Sequence, residues 1–430
     1  MNSPALSLAA YVRLIRGNRN FRLLWMAQIV SELGDWLYTV AVYSMLLEYT
    51  GSAKSVALAF VLQVLPQFFI APAAGVINDW VRRKRVMIFA DWMRAGVVLC
   101  MLLARTPQLV WLLYLLLIFE TLMWALFEPA HHAVIPNITS ESEVVIANTL
   151  SSTTWSFNFA MGFAIGGAIA AYFGRNTVFV LNACSFVASA LLIGRMQFAE
   201  PHAEHLAPMR LKDLADFSPI REGIHYVWNH PQLRATILVK AGLGLMGANW
   251  VLLPILGERI FPIHRAGFSA RESGMLGMSL LMACRGLGAI IGPLVSGYWA
   301  AGIRSRMRVG ILIGFLIAGL GYIGLGAATT LPLACAAIVL AHSGGSTLWV
   351  FSTTLLQLQT EDRFRGRVFS AEFAFSVLTM SLSSYSAGVL LDHGVPVGLV
   401  AGLTGCAVLL PALLWAYTLR AHVLYRKETS

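Results

Sequence analysis

Charge is scarce in this chain: 12% of its residues are Asp, Glu, Lys or Arg, against 57% hydrophobic residues and a mean hydropathy of +0.69. That shortage excludes a soluble protein of 430 residues, which would need a polar surface that this composition cannot supply. Long polar stretches are missing as well. Apolar runs recur from Phe21 to Leu419, and the one extended polar stretch lies near Ala199 to Arg234. A Walker phosphate loop is absent, so ATP is not the energy source. No nucleophile and base constellation suggests an enzyme. His202 and His205 have a loose metal-like spacing, but no cysteine or carboxylate cluster completes a site, so neither metal nor cofactor is expected. The five cysteines, Cys100, Cys184, Cys284, Cys335 and Cys406, fall inside apolar runs, where thiols act as small hydrophobes and not as a disulfide framework. Arg13, Arg16, Arg19 and Arg22 precede the first run, which lacks a small-residue cleavage site, so the first helix is expected to stay in the membrane.

What is present is a repeating apolar pattern. Interruptions such as Gly51-Ser52, Thr106-Pro107 and Gly174-Arg175 mark helix boundaries. They predict helices over 21–49, 54–77, 86–104, 108–130, 144–173 and 176–197, then 234–260, 272–300, 307–329, 331–358, 368–391 and 395–419. The expected fold class is an all-α membrane protein of twelve transmembrane helices, since about 20 apolar residues span a bilayer. They group into two six-helix halves, 1–198 and 234–430, joined by a cytoplasmic linker, 199–233, with Pro201, Pro208, Pro219 and Pro231 and one short amphipathic surface helix. Such halves pack about an axis along the membrane normal. With both termini cytoplasmic, 22 of the 31 Lys and Arg lie on the cytoplasmic side and 6 on the other, the remaining 3 (Arg94, Lys240, Arg285) being within helices. This asymmetry places a multi-pass protein in the plasma (inner) membrane with its termini inside. It also accounts for the net charge of +10 without nucleic acid, which would require a basic face on a compact domain.

After the second helix come Gly75, Asp79 and the basic run Arg82, Arg83, Lys84 and Arg85. This spacing resembles the signature loop of the major facilitator superfamily. Gly75 would allow close helix approach, Asp79 would sit against the N-terminal dipole of a neighbouring helix, and the basic cluster would anchor the cytoplasmic face. The alternative is that the four basic residues only enforce topology. More of the chain is similar to the bacterial exporter branch related to enterobactin and macrolide efflux proteins. The resemblance rests on Asn18 to Trp25 leading into Ser31 to Trp36, on Phe127-Glu128-Pro129-Ala130 with Ile135-Pro136 closing helix 4, on Ala147-Asn148, and on Arg363 to Ser370 before helix 11. It implies the superfamily's fold and transport by alternating access. Drug antiporters of the superfamily carry Gly-Pro-x-x-Gly-Gly in helix 5, where this chain reads Gly162, Phe163 and Gly166-Gly167. The proline is missing, while the glycines still permit tight packing of the two halves.

Ionisable residues inside helices are the best internal pointers to function, because each is costly unless paired or facing a cavity. Glu32 and Asp35 are three apart and project from one helix face. Arg285 lies at comparable depth in helix 8 and reads as their cationic partner, in either a proton-coupling or substrate site or a permanent ion pair. Glu120 and His342 are further candidates for that cavity, His342 as a proton carrier or as a hydrogen-bonded packing residue. Arg94, Asp91 and Glu128 lie toward the cytoplasmic ends of helices 3 and 4 and read, with Gly75, Asp79, Arg83 and Lys84, as a conformational gate. Glu372 and Lys240 fit either the gate or the cavity. Trp36, Tyr38, Trp124, Trp155, Trp250 and Trp349 would suit a bulky apolar cargo or form interfacial belts.

The function expected is secondary transport, not an enzyme: a proton-coupled exporter of small amphipathic, drug-like or siderophore-like compounds, acting as a monomer in the lipid bilayer. Lysophospholipid flipping is the alternative within transport, since relatives that handle lipids have a similar Gly-Asp in helix 1 and an Arg-Val-Met like Arg85-Val86-Met87. A non-transporting receptor or scaffold is the alternative outside it.

Overall fold

The computed structural model describes residues 8–140, 143–200, 217–301, 303–361 and 364–428. The regular elements among them are all helical, as expected where hydrocarbon leaves no water to satisfy the backbone and a helix satisfies it within one segment. A short helix, α1 (Leu8–Gly17), comes first. Its Leu14 enters a core with Phe21 and Leu24, while Arg13 and Arg16 stay exposed. Six long helices follow: α2 (Arg19–Thr50), α3 (Ala53–Trp80), α4 (Arg83–Met101), α5 (Val110–Ile138), α6 (Val144–Phe173) and α7 (Arg175–Gly194). Residues 201–216 of the linker, with His202 and His205, lie outside the described residues. The linker's surface helix is α8 (Ser218–Trp228), whose Val227 packs with Leu233, Ile237, Leu356 and Val368.

The next span, Leu233–Ile260, is irregular. Helix α9 (Pro231–Gly244) passes through a 3-10 turn, Leu245–Ala248, into α10 (Asn249–Ile255) and ends in a π turn, Leu256–Ile260. Pro254 cannot donate to the carbonyl of Trp250, which loosens this stretch. Five helices complete the chain: α11 (Ala270–Ala300), α12 (Arg304–Gly326), α13 (Leu331–Gln359), α14 (Arg365–Asp392) and α15 (Val397–Glu428). Ten spans among the described residues are long and apolar enough to cross a membrane. Helices α2 and α4 bring the number to twelve; they carry Glu32, Asp35, Asp91 and Arg94, and these charges dilute their apolarity.

Two expected ends move: α15 runs past 419 to Glu428, and α5 is extended as well. Helix α5 does not close at residue 130 but runs through Pro129 and Pro136 to Ile138. A proline inside a membrane helix is tolerated where neighbours satisfy the freed carbonyl, so it is a poor stop signal here.

Packing divides the chain into two units, residues 1–45 with 66–216, and residues 46–65 with 217–430. In the first, α4 packs on α5 and α7. Helix α6 meets α2 through glycines: a Cβ at Gly166 would lie 2.7 Å from the Leu37 backbone, and one at Gly162 would strike the Trp36 Cβ. These glycines, expected to pack the two halves, thus work inside one unit. In the second, α13 packs on α11 and α12, and α12 on α15. There Asp392, at the end of α14, caps the start of α3 by accepting from the Ala53 N–H at 2.7 Å and from the Ser52 hydroxyl.

Candidate functional site

Asp91 and Arg94 are three apart on α4, which puts both on one face. Arg94 lies eleven residues beyond Arg83, about 16 Å along the axis at 1.5 Å per residue, half the thickness of a hydrocarbon core. It is therefore a mid-helix charge and not a residue at the cytoplasmic end. A guanidinium at that position needs partners, and the first unit supplies them. Arg94 donates to Asp91 and lies 3.6 Å from Asp35 on α2. The Phe127 and Phe186 rings cover it at 4.6 and 4.3 Å, a cation–π arrangement that suits the planar guanidinium. Arg94 is 1% exposed and Asp91 0%. Glu120 accepts from the Tyr38 hydroxyl at 3.5 Å and lies close enough to act on the charges of both Asp35 and Arg94. One oxygen each of Asp35 and Asp91 is buried with no hydrogen-bond partner among the described residues.

Within its own unit Asp35 thus has Arg94 as its cation. Arg285 belongs to the second unit and stacks on Trp250 at 4.3 Å. Glu32, on the same face of α2 as Asp35, has neutral partners: the Gln28 side-chain amide donates at 2.8 Å and that of Asn158 on α6 at 3.0 Å. Gln28 in turn accepts from the Ser151 hydroxyl at 2.8 Å. Beside them an aromatic cluster joins α2 to α6, with Trp36 at 4.6 Å from Phe159 and 5.7 Å from Trp155. Trp124 on α5 is half-buried.

The second unit has a cation of its own. Lys240 on α9 pairs with Glu372 on α14 at 2.9 Å, and its ammonium sits 3.5 Å over the Trp349 ring. Trp250 stacks on Phe60 at 4.8 Å. His342 is buried with Nε2 3.1 Å from the hydroxyl of Tyr322, the arrangement of a hydrogen-bonded packing histidine.

The residues read as a gate have the following partners among the described residues. Arg83 donates to the Ala133 carbonyl of α5 at 3.1 Å. Lys84 reaches the carbonyls of Gly194 and Met196 at 2.9 and 2.6 Å, a favourable cation at the C-terminal end of α7. Gly75 makes no close approach, since a Cβ there would meet nothing within 4 Å. The side chain of Asp79 lies outside the described residues. Glu128 lies 3.1 Å from His132 Nε2, and with His131 the three form a group of possible metal ligands. Sequence reading passed over both histidines, although Glu-x-x-His-His on a helix is a legible signal. Phe186, Gln28 and Asn158 carry no charge to mark them in the sequence, and Phe127 is marked there only as part of a family motif.

Chemically, the first unit offers a polar and charged interior at mid-helix with an aromatic margin. The sequence model of a family described as "Transmembrane secretion effector" matches residues 15–427. Macrolide efflux protein A of Streptococcus pyogenes is 24% identical over 387 residues, covering 87% of this chain and 89% of that one. Multidrug efflux pump Tap of Mycobacterium tuberculosis is 26% identical over 385 residues, 86% of each chain. Among solved structures, a bacterial homologue of the human lysosomal transporter Spinster superposes with a TM-score of 0.69 at 14% identity, covering 96% of this chain and 98% of that one.

Proposed function

Because the chain belongs to the transmembrane secretion effector family of the major facilitator superfamily, and so is a multi-pass membrane transporter, we propose that it is a proton-coupled exporter of small amphipathic compounds working by alternating access. The observation that carries this reading is the buried charge set of the first unit, where three carboxyl groups, Asp35, Asp91 and Glu120, surround the single guanidinium of Arg94. Charges at this depth are costly and mark ion or substrate paths. A set with more acids than bases has room for a proton that comes and goes, and the carboxylate oxygens lacking a donor are places for it. The cluster of Trp36, Trp155 and Phe159 favours a cargo with an apolar face. Export is supported by the similarity to proteins named for macrolide and multidrug efflux. In this reading the protein acts as a monomer in the inner membrane with both termini in the cytoplasm.

Purified protein in liposomes, given an imposed proton gradient and a radiolabelled macrolide, tests the proposal. Gradient-driven accumulation is expected, with Asp35→Asn abolishing it and Glu32→Gln slowing it. Accumulation that ignores the gradient, or that Asp35→Asn leaves intact, would remove proton coupling from the reading. Movement of lysophospholipid in place of drug would replace the cargo class.

A further inference from the structure

Helix α5 carries Glu128, His131 and His132. In an α-helix the positions three and four residues on lie to either side of residue i on one face, so both imidazoles are brought to the Glu128 carboxylate. One ligating atom from each of the three lies within 4.8 Å of the others. The burial of the three is graded: His131 is 3% exposed, Glu128 half-buried and His132 exposed. The His131 ring stacks on Phe127 and meets the His132 ring edge-on at 5.3 Å. These ring contacts hold the His131 imidazole beside Glu128 and His132. Glu32 lies close enough to act on the group's charge from α2, and Arg94 acts on Glu128 from α4.

From this geometry we propose that Glu128, His131 and His132 form a binding site for one divalent first-row transition-metal ion, with Zn2+ as the type case. Two imidazoles and one carboxylate form a borderline-soft donor set that suits Zn2+, Co2+ or Ni2+ and not Mg2+ or Ca2+, which take oxygen ligands. Three protein ligands leave at least one position open. An ion at about 2.1 Å from each ligand would set the three atoms about 3.4 Å from one another; Glu128 and His132 already lie 3.1 Å apart, so the closure needed is of these two side chains toward His131. Pro136 cannot donate to the His132 carbonyl, so the backbone there is not fully committed to the helix ladder. The site borders the charge set around Arg94 through Phe127, which covers Arg94 and stacks on His131, but the proposal does not depend on the export reading.

The test uses the full chain in detergent with any purification tag removed, incubated with ZnCl2, passed through gel filtration and assayed for bound metal by mass spectrometry. About one Zn2+ per chain is expected, with CoCl2 giving the visible bands of a low-symmetry site and MgCl2 none. His132→Asn, at an exposed position where folding is not at stake, is expected to weaken Zn2+ binding by about tenfold or more. His131→Asn should do the same while still eluting as a folded species. Wild-type protein that retains no Zn2+, or a His132→Asn variant that holds it as tightly as wild type, would overturn the site and leave Glu128 and His132 as a simple intrahelical hydrogen bond.

Discussion

Methionine in place of Arg94 would leave Asp35 and Asp91 in the interior without their cation while nearly keeping the volume packed between Phe127 and Phe186. Removing one partner of a buried ion set costs about 3–5 kcal/mol. Arg94→Met should therefore lower the unfolding free energy in detergent by that order, and adding Asp35→Asn should restore part of it. A loss under about 1 kcal/mol, the worth of a solvated pair, would mean that water reaches the guanidinium. At this scale the sequence is half-legible. The three-residue spacing of Glu32 and Asp35 and the rarity of charge in apolar helices single out side chains that the structure gives polar partners. Spacing says which residues share a face but not which helix that face meets, so it does not point to Arg94 as the cation beside Asp35, nor does it show that Glu32 faces amides where Asp35 faces a cation.

Glycines separate the helices that are locked from those that are not. A side chain at Gly166 would enter the Leu37 backbone, whereas one at Gly75 would meet nothing within 4 Å. Gly166→Leu is expected to cost about 1–3 kcal/mol or more through overpacking, seen as a lower melting temperature and poor recovery from the membrane. Gly75→Ala should be neutral or slightly stabilising, by up to about 1 kcal/mol, from helix propensity alone. The reverse order would contradict the packing of α6 on α2. The sequence reads helix existence well here, because apolar runs of spanning length allow no other element. It reads helix ends less well: Pro136 resembles a terminator, yet α5 continues past it, and the polar residues before Phe21 hide α1 because only Leu14 and its neighbours mark an apolar face.

For the molecule as a whole, the asymmetric basic loops predict which ends face the cytoplasm. In a chain whose five cysteines have been replaced, Arg105→Cys and Arg265→Cys should react with a membrane-impermeant maleimide added to intact cells. Arg304→Cys should react only after permeabilisation, and the opposite pattern would invert the topology. The described residues also cut the protein elsewhere than its polar linker does. Residues 46–65 precede that linker but fold with the chain that follows it, where Asp392 caps α3 and Gly388 seats against Lys54 and Ala57. If the gene were divided at the linker, the later product would lack a piece of its own interior, and the earlier product would display that piece with nothing to bind. Two such products would have to behave as complementing fragments, each finished only by the other.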